Sequence, residues 1–357
     1  MTMAEEMCFF DKSTLVMKAP KRSPLIMRMA LVVMVMVSGF YICCSSRATK
    51  LNTQVINKPE VRFISDQKIH PQQEQQHCPH SHQLNQSEPL FLHYPKPQTF
   101  SREECECNPV RLFAIVSMQR SGSGWFETML NSHINVSSNG EIFSVKERRS
   151  NASAILRTLD QVYNLDWFTS ASKNECSAAV GLKWMLNQGL MEHHEEILNY
   201  FRQKGVSIIF LFRRNLLRRM VSVLANSYDR AAKLLNGTHK SHVHSPSEAQ
   251  ILASYKPRIN AMELRPKLKQ EEETIAKALE FFNSTRHIVL FYEDLITNAT
   301  KLRDVQEFLR LPFRDLTSCQ VKIHSGPLGR QVENWDEIAK TLNQTSYERF
   351  LRADYRR

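Results

Sequence analysis

The stretch Leu112 to Leu130, LFAIVSMQRSGSGWFETML, constrains the fold of this chain more than any other. Its first part, Leu112 to Val116, is short, apolar and continuous, as in a parallel strand buried on both faces. Trp125, Phe126, Met129 and Leu130 then recur at helical spacing. Between them lies a tight turn carrying Arg120, Ser121, Gly122, Ser123 and Gly124. A turn placed between a strand and a helix N-terminus directs backbone N–H groups and the positive end of the helix dipole at one point. The glycines admit close approach of an anion, and Arg120, Ser121 and Ser123 add donors. The pattern identifies an anion site and leaves the anion open.

The same alternation continues downstream. Strands are expected at Ala178 to Trp184, at Val206 to Phe212 and at His287 to Glu293. Helices are expected at Met191 to Lys204, with Gly205 at its C-terminal end, at Ser222 to Leu235 and at Glu271 to Phe282. Another should follow Asp294, which is placed to cap it. Continuous apolar strands alternating with helices indicate an α/β domain of three layers around a central parallel sheet. Ligands of such sheets bind beyond the carboxyl ends of the strands. The Arg120 turn, the Arg213–Arg214 pair and the Glu293–Asp294 pair all fall there.

Upstream, the organisation changes. Lys12, Lys18, Lys21 and Arg22 precede an apolar segment at 25–44 whose one charge, Arg28, lies near its start. Its length suits a membrane-spanning signal-anchor, and the excess of basic residues before it keeps residues 1–24 in the cytosol. Residues 45–108, rich in Gln, His, Pro and Ser, read as a largely disordered stem, and the cluster His77 to His82 as part of it. The catalytic domain is then expected at 109–357, lumenal in a type II arrangement. Sequons at Asn85, Asn135, Asn151, Asn236, Asn283, Asn298 and Asn343 agree with a lumenal glycoprotein. Cys105, Cys107, Cys176 and Cys319 are free to form disulfides there, in a pairing the sequence does not state.

The net charge of +11 suits an anionic partner. No G-K-[ST] is present, so the lysine and hydroxyl that an ATP- or GTP-hydrolysing loop requires are missing. There is no D-x-D for a metal-held nucleotide sugar and no C-x-x-C pair, and no metal is expected.

Three elements together resemble the sulfotransferases that use 3′-phosphoadenosine 5′-phosphosulfate (PAPS), in particular the nodulation-factor and carbohydrate branch. The turn Arg120-Ser-Gly-Ser-Gly-Trp125 is similar to that family's 5′-phosphosulfate loop. Arg214 and Ser222, eight residues apart after a strand, are similar to its 3′-phosphate pair. Tyr292-Glu-Asp-Leu295 is a further recurrent string. Gly124 departs from the pattern, which has a hydroxyl residue there, and no Pro follows Asn215.

The resemblance implies a P-loop-NTPase-like fold and sulfuryl transfer from PAPS to a carbohydrate hydroxyl at the Golgi membrane, with no nucleic-acid partner. It implies that Arg120 stabilises the leaving group and that Ser121, Gly122, Ser123 and Gly124 cradle the 5′ end. Trp125 is either an adenine-side contact or core. Arg214, Ser222 and Arg330 or Lys322 hold the 3′-phosphate. Glu141, in Asn139-Gly-Glu-Ile-Phe143, is the expected base, with His133, His193 and His194 as rivals. Lys183 and Trp184 end a strand at the functional edge, where they could face substrate. The alternatives are a lumenal polyanion- or nucleotide-binding protein with weak turnover and a nucleotide kinase or NTPase of related fold.

Overall fold

The computed structural model describes residues 89–173 and 176–352. The expected tail, signal-anchor, His77–His82 cluster and Asn85 lie outside them. Among the described residues no helix is long and apolar enough to cross a membrane.

Five parallel strands form one sheet: β1 (Arg111–Ser117), β2 (Val136–Ser138), β3 (Ala179–Met185), β4 (Ser207–Phe212) and β5 (His287–Phe291), in the order β2-β3-β1-β4-β5. The continuous apolar runs exist because both faces are covered. On β1, Leu112, Ala114 and Val116 join one core while Phe113 and Ile115 join the other. The first core is closed by helices α2 (Ala152–Tyr163) and α3 (His194–Gln203), through Ile155, Leu159, Ile197 and Phe201. The second is closed by α1 (Ser123–Asn131), through Phe126 and Leu130.

Helix α4 (Leu216–Ala232) follows β4. It is capped by Asn215, whose side chain accepts from the Arg218 amide at 3.0 Å. Next come α5 (Pro246–Ala253) and α6 (Ala261–Phe281), the latter ten residues longer at its start than expected from Glu271. Helix α7 (Tyr292–Thr297) begins directly after β5, so Glu293 and Asp294 lie in its first turn. Asp294 does not cap it; its carboxylate receives the Arg214 guanidinium. Helices α8 (Thr300–Phe308), α9 (Trp335–Leu342) and α10 (Arg349–Arg352) complete the chain.

The folded body begins upstream of Pro109. His93 pairs with Val110 as an antiparallel bridge, with N–O distances of 3.0 and 2.8 Å. The Gln98 amide donates to Asp166 at 2.8 Å, as does Thr99 Oγ at 2.9 Å. Arg102 is buried and donates to the carbonyls of Asn108 and Ser177. Cys105 is bonded to Cys176, and Cys107 and Cys319 are disulfide-bonded as well. Polar composition hid this segment, because it is held by hydrogen bonds and cross-links more than by apolar burial. A chain begun at Pro109 is therefore expected to be less stable than one begun at Pro89. Loss of the disulfide alone costs about 2–5 kcal/mol, on the order of 10 °C in Tm. Coincident thermal melts of the two would contradict this.

Candidate active site

The β1–α1 turn is shaped by two residues in left-handed backbone. Gly122 has φ +88°, and a Cβ there would come within 2.3 Å of the Tyr292 ring. Arg120 has φ +65°, a conformation that costs a non-glycine residue about 1–3 kcal/mol and persists where the surroundings enforce it. Its Nε donates to Ser222 Oγ at 3.0 Å and its Nη1 to the Ser241 carbonyl at 2.7 Å, so one guanidinium ties the turn to α4 and to the following loop. Helix α1 has no side-chain cap and no acidic residue in its first turn. Its first N–H groups are left for a ligand. The buried Ser121 Oγ has no hydrogen-bond partner among the described residues. That orphaned donor and the uncapped helix fit an oxyanion.

The turn opens on a cavity of about 1160 Å³. Arg218, Ser222, Asn226 and Arg230 line it from α4. Spaced by four, they form one face of the helix. Arg213 enters from the β4–α4 junction, 5.1 Å above the Tyr292 ring. The opposite wall is the segment 320–327, joined to the loop after α4 by an antiparallel bridge between Val243 and Val321. It brings Lys322 and His324. Its Gly326 carbonyl accepts from Arg218 at 3.1 Å.

Positive charge dominates. Burial lowers the Arg120 guanidinium to about 10, with Arg213 adding to the effect and Glu141 opposing it; it stays charged at neutral pH. Burial and the charges of Arg213 and Arg218 bring the Lys322 ammonium to about 7, against the pull of Glu293. Burial and Arg120, Arg213 and Arg218 bring His324 to about 4, so it is neutral, and its Nδ1 is buried without a partner among the described residues.

Glu141 is the one carboxylate among the residues lining the cavity. It follows β2 and is oriented from two sides: Lys183 Nζ lies 3.5 Å from Oε1, and Gln188 Nε2 donates to Oε2 at 3.1 Å. Lys183 is buried on β3 and also contacts Glu127 at 2.9 Å. Desolvation opposes its charge, but Glu127 and Glu141 outweigh that and hold the ammonium above the ordinary lysine value. Glu127 is itself fixed by Ser138 Oγ at 2.7 Å and the Gly140 amide at 3.0 Å.

No family model matches the chain. It is similar to nodulation protein H of Rhizobium meliloti, with 23% identity over 252 residues that span 68% of this chain and 96% of that protein. Among solved structures, the sulfotransferase domain of the curacin biosynthetic pathway aligns at 16% identity over 64% of this chain and 89% of its own, with a TM-score of 0.33. Mouse sulfotransferase SULT7A1 complexed with PAP aligns at 16% identity, 67% and 87% coverage and a TM-score of 0.37. A sulfotransferase from Alicyclobacillus acidocaldarius aligns at 12% identity, 67% and 94% coverage and a TM-score of 0.33.

In this chain, Arg120, Gly122, Ser123, Gly124, Trp125, Glu141 and Ser222 line the cavity, with Ser121 buried beneath the turn. Trp125 meets Tyr292 edge to face at 5.8 Å, packing against the second core on one side and lining the cavity on the other. Two expected anion contacts stand elsewhere. Arg214 is exposed and not among the wall residues. Asp294 holds both its guanidinium nitrogens, and Glu293 accepts its backbone N–H at 2.9 Å. Arg213, which β4 directs inward, and Arg218 are the arginines that line the cavity at this junction. Arg330 is exposed in the turn Leu328–Arg330 and also outside the walls, where Lys322 and His324 stand instead. Trp184 is fully buried, stacked on Phe143 at 4.0 Å, and does not face substrate.

The rival bases lie outside the cavity walls. His133 is buried, with Nε2 3.0 Å from the Pro312 carbonyl, and His194 stacks on Phe281 at 3.8 Å. His193 precedes α3 and is also outside the walls. The sequence placed the Arg213–Arg214 pair at this edge without choosing Arg213 and offered Lys322 beside Arg330, while Arg218, His242 and His324 carried no assignment. The i, i+4 spacing of Arg218 and Ser222 was the available signal for one of them. Arg218→Ala is expected to weaken binding of 3′,5′-ADP about tenfold or more, the scale of a lost charge-assisted contact. Arg214→Ala should weaken it less than threefold. Calorimetry on both variants checks the order, and the reverse order would restore Arg214 to the site.

Proposed function

We propose that this protein is a sulfotransferase that moves a sulfuryl group from PAPS to a carbohydrate hydroxyl. The observation that carries the reading is that one cavity joins an uncapped helix N-terminus bearing Arg120 to a second cluster of cations, Arg213, Arg218 and Lys322. A nucleotide with anionic groups at both ends of its ribose satisfies both clusters at once. When bound, it supplies an activated sulfuryl group on its 5′-phosphate. Ser123, Gly124 and the α1 N–H groups hold that end, while Arg213, Arg218 and Ser222 hold the 3′-phosphate.

Transfer forms a bond from the acceptor oxygen to sulfur and breaks the bond from sulfur to the bridging phosphate oxygen. Arg120 offsets the charge left on that oxygen. Glu141 takes the acceptor's proton, its carboxylate aimed by Lys183 and Gln188. The products are a sulfate ester and 3′,5′-ADP.

The lumenal Golgi setting and type II anchor rest on the apolar segment 25–44 and the basic residues before it. Further support comes from the Cys105–Cys176 bond and from exposed sequon asparagines at Asn151, Asn236, Asn283, Asn298 and Asn343. Labelled PAPS incubated with a glycan panel should yield labelled glycan. Glu141→Gln should lower transfer about 10²–10⁴-fold while 3′,5′-ADP still binds. Label transfer unaffected by Glu141→Gln would remove Glu141 from the chemistry; no transfer to any glycan would remove the acceptor class.

A further inference from the structure

Gly124 lies in the first turn of α1, and its missing side chain is matched by a group from elsewhere in the chain. A Cβ built there would lie 2.2 Å from His242 Cε1 and 2.4 Å from Nε2. The imidazole edge therefore occupies the space that a side chain at 124 would fill. His242 lines the cavity and is exposed to it. Neither ring nitrogen is hydrogen-bonded among the described residues.

The loop that delivers His242 is held on both sides. The Ser241 carbonyl accepts from Arg120 Nη1 at 2.7 Å, and the Val243 carbonyl accepts from the Val321 amide at 2.8 Å. The ring is thus placed beside the α1 N-terminus by Arg120 itself. Desolvation, with the charges of Lys183, Arg120 and His244, pushes its pKa below the ordinary value. A neutral imidazole keeps one N–H to donate.

We propose that His242 is a nucleotide-binding residue that donates to the 5′-phosphate from the notch left by Gly124, taking the place of a hydroxyl at that position. The proposal rests on the reading of the cavity as a PAPS site. It makes positions 124 and 242 a coupled pair in which either a side chain at 124 or the imidazole is present, but not both.

Calorimetry on the full-length protein with two probes, 3′,5′-ADP and adenosine 3′-phosphate, tests the pairing. His242→Ala should weaken 3′,5′-ADP about tenfold, as loss of a bond to a charged group does, and leave adenosine 3′-phosphate unchanged, because that probe lacks the 5′ group. Gly124→Ser should also weaken 3′,5′-ADP, since the new side chain meets the ring. The double variant Gly124→Ser/His242→Ala should bind more tightly than either single one. Equal weakening of both probes by His242→Ala would assign the ring a structural role and overturn the proposal. So would a double variant no better than the singles, or wild-type affinity in Gly124→Ser. If the unaltered protein binds neither probe, the PAPS reading fails first and this proposal with it.

Discussion

Positive charge concentrated in one cavity is the constraint on which the rest of this structure depends. Arg120, Arg213, Arg218 and Lys322 converge there, and Glu141 is the sole carboxylate among the lining residues. Burial and neighbouring arginines lower both Arg120 and Lys322, against the pull of Glu141 and Glu293. A protein gains nothing in stability from such an arrangement. On the proposed reading it serves affinity, because a polyanion entering the cavity would relieve the repulsion and meet donors already in place.

The fold supplies the rigidity that keeps those cations from separating. Strands β1 and β4 are neighbours in the middle of the sheet, so the turn after β1 and the junction after β4 open side by side. Apolar packing on both faces fixes the strand ends. Arg120 is strained in left-handed backbone and bonded to both α4 and the loop after it, which makes it a clasp as well as a ligand group. Glu141 is held at the edge of the basic cavity by Lys183, which is itself anchored by the buried Glu127.

The strands, the long helices and the turn at Arg120 were legible because each rests on a local pattern: continuous apolar runs, helical spacing, glycines between them. What was not legible depends on register or on contacts between distant segments. After Phe212 two arginines follow in succession, and spacing to Ser222 favoured Arg214. The direction in which β4 delivers its last side chains, and the availability of Asp294 as a partner outside the cavity, put Arg213 and not Arg214 in the cavity wall. Arg330 was favoured by its Gly-rich loop, but the bridge between Val243 and Val321 brings the preceding segment to the site instead. His242 carries no motif; its position beside Gly124 exists only in three dimensions. Residues 89–108 look like a linker in composition and are anchored by Arg102 and Cys105.

The central claim is that the cavity recognises anionic groups at two ends of one nucleotide. Comparing the affinities of 3′,5′-ADP and 5′-AMP tests it most directly, since the two differ only in the 3′-phosphate. The account predicts at least about tenfold tighter binding of 3′,5′-ADP, the scale of one charge-assisted contact. Equal affinity for the two nucleotides would contradict it.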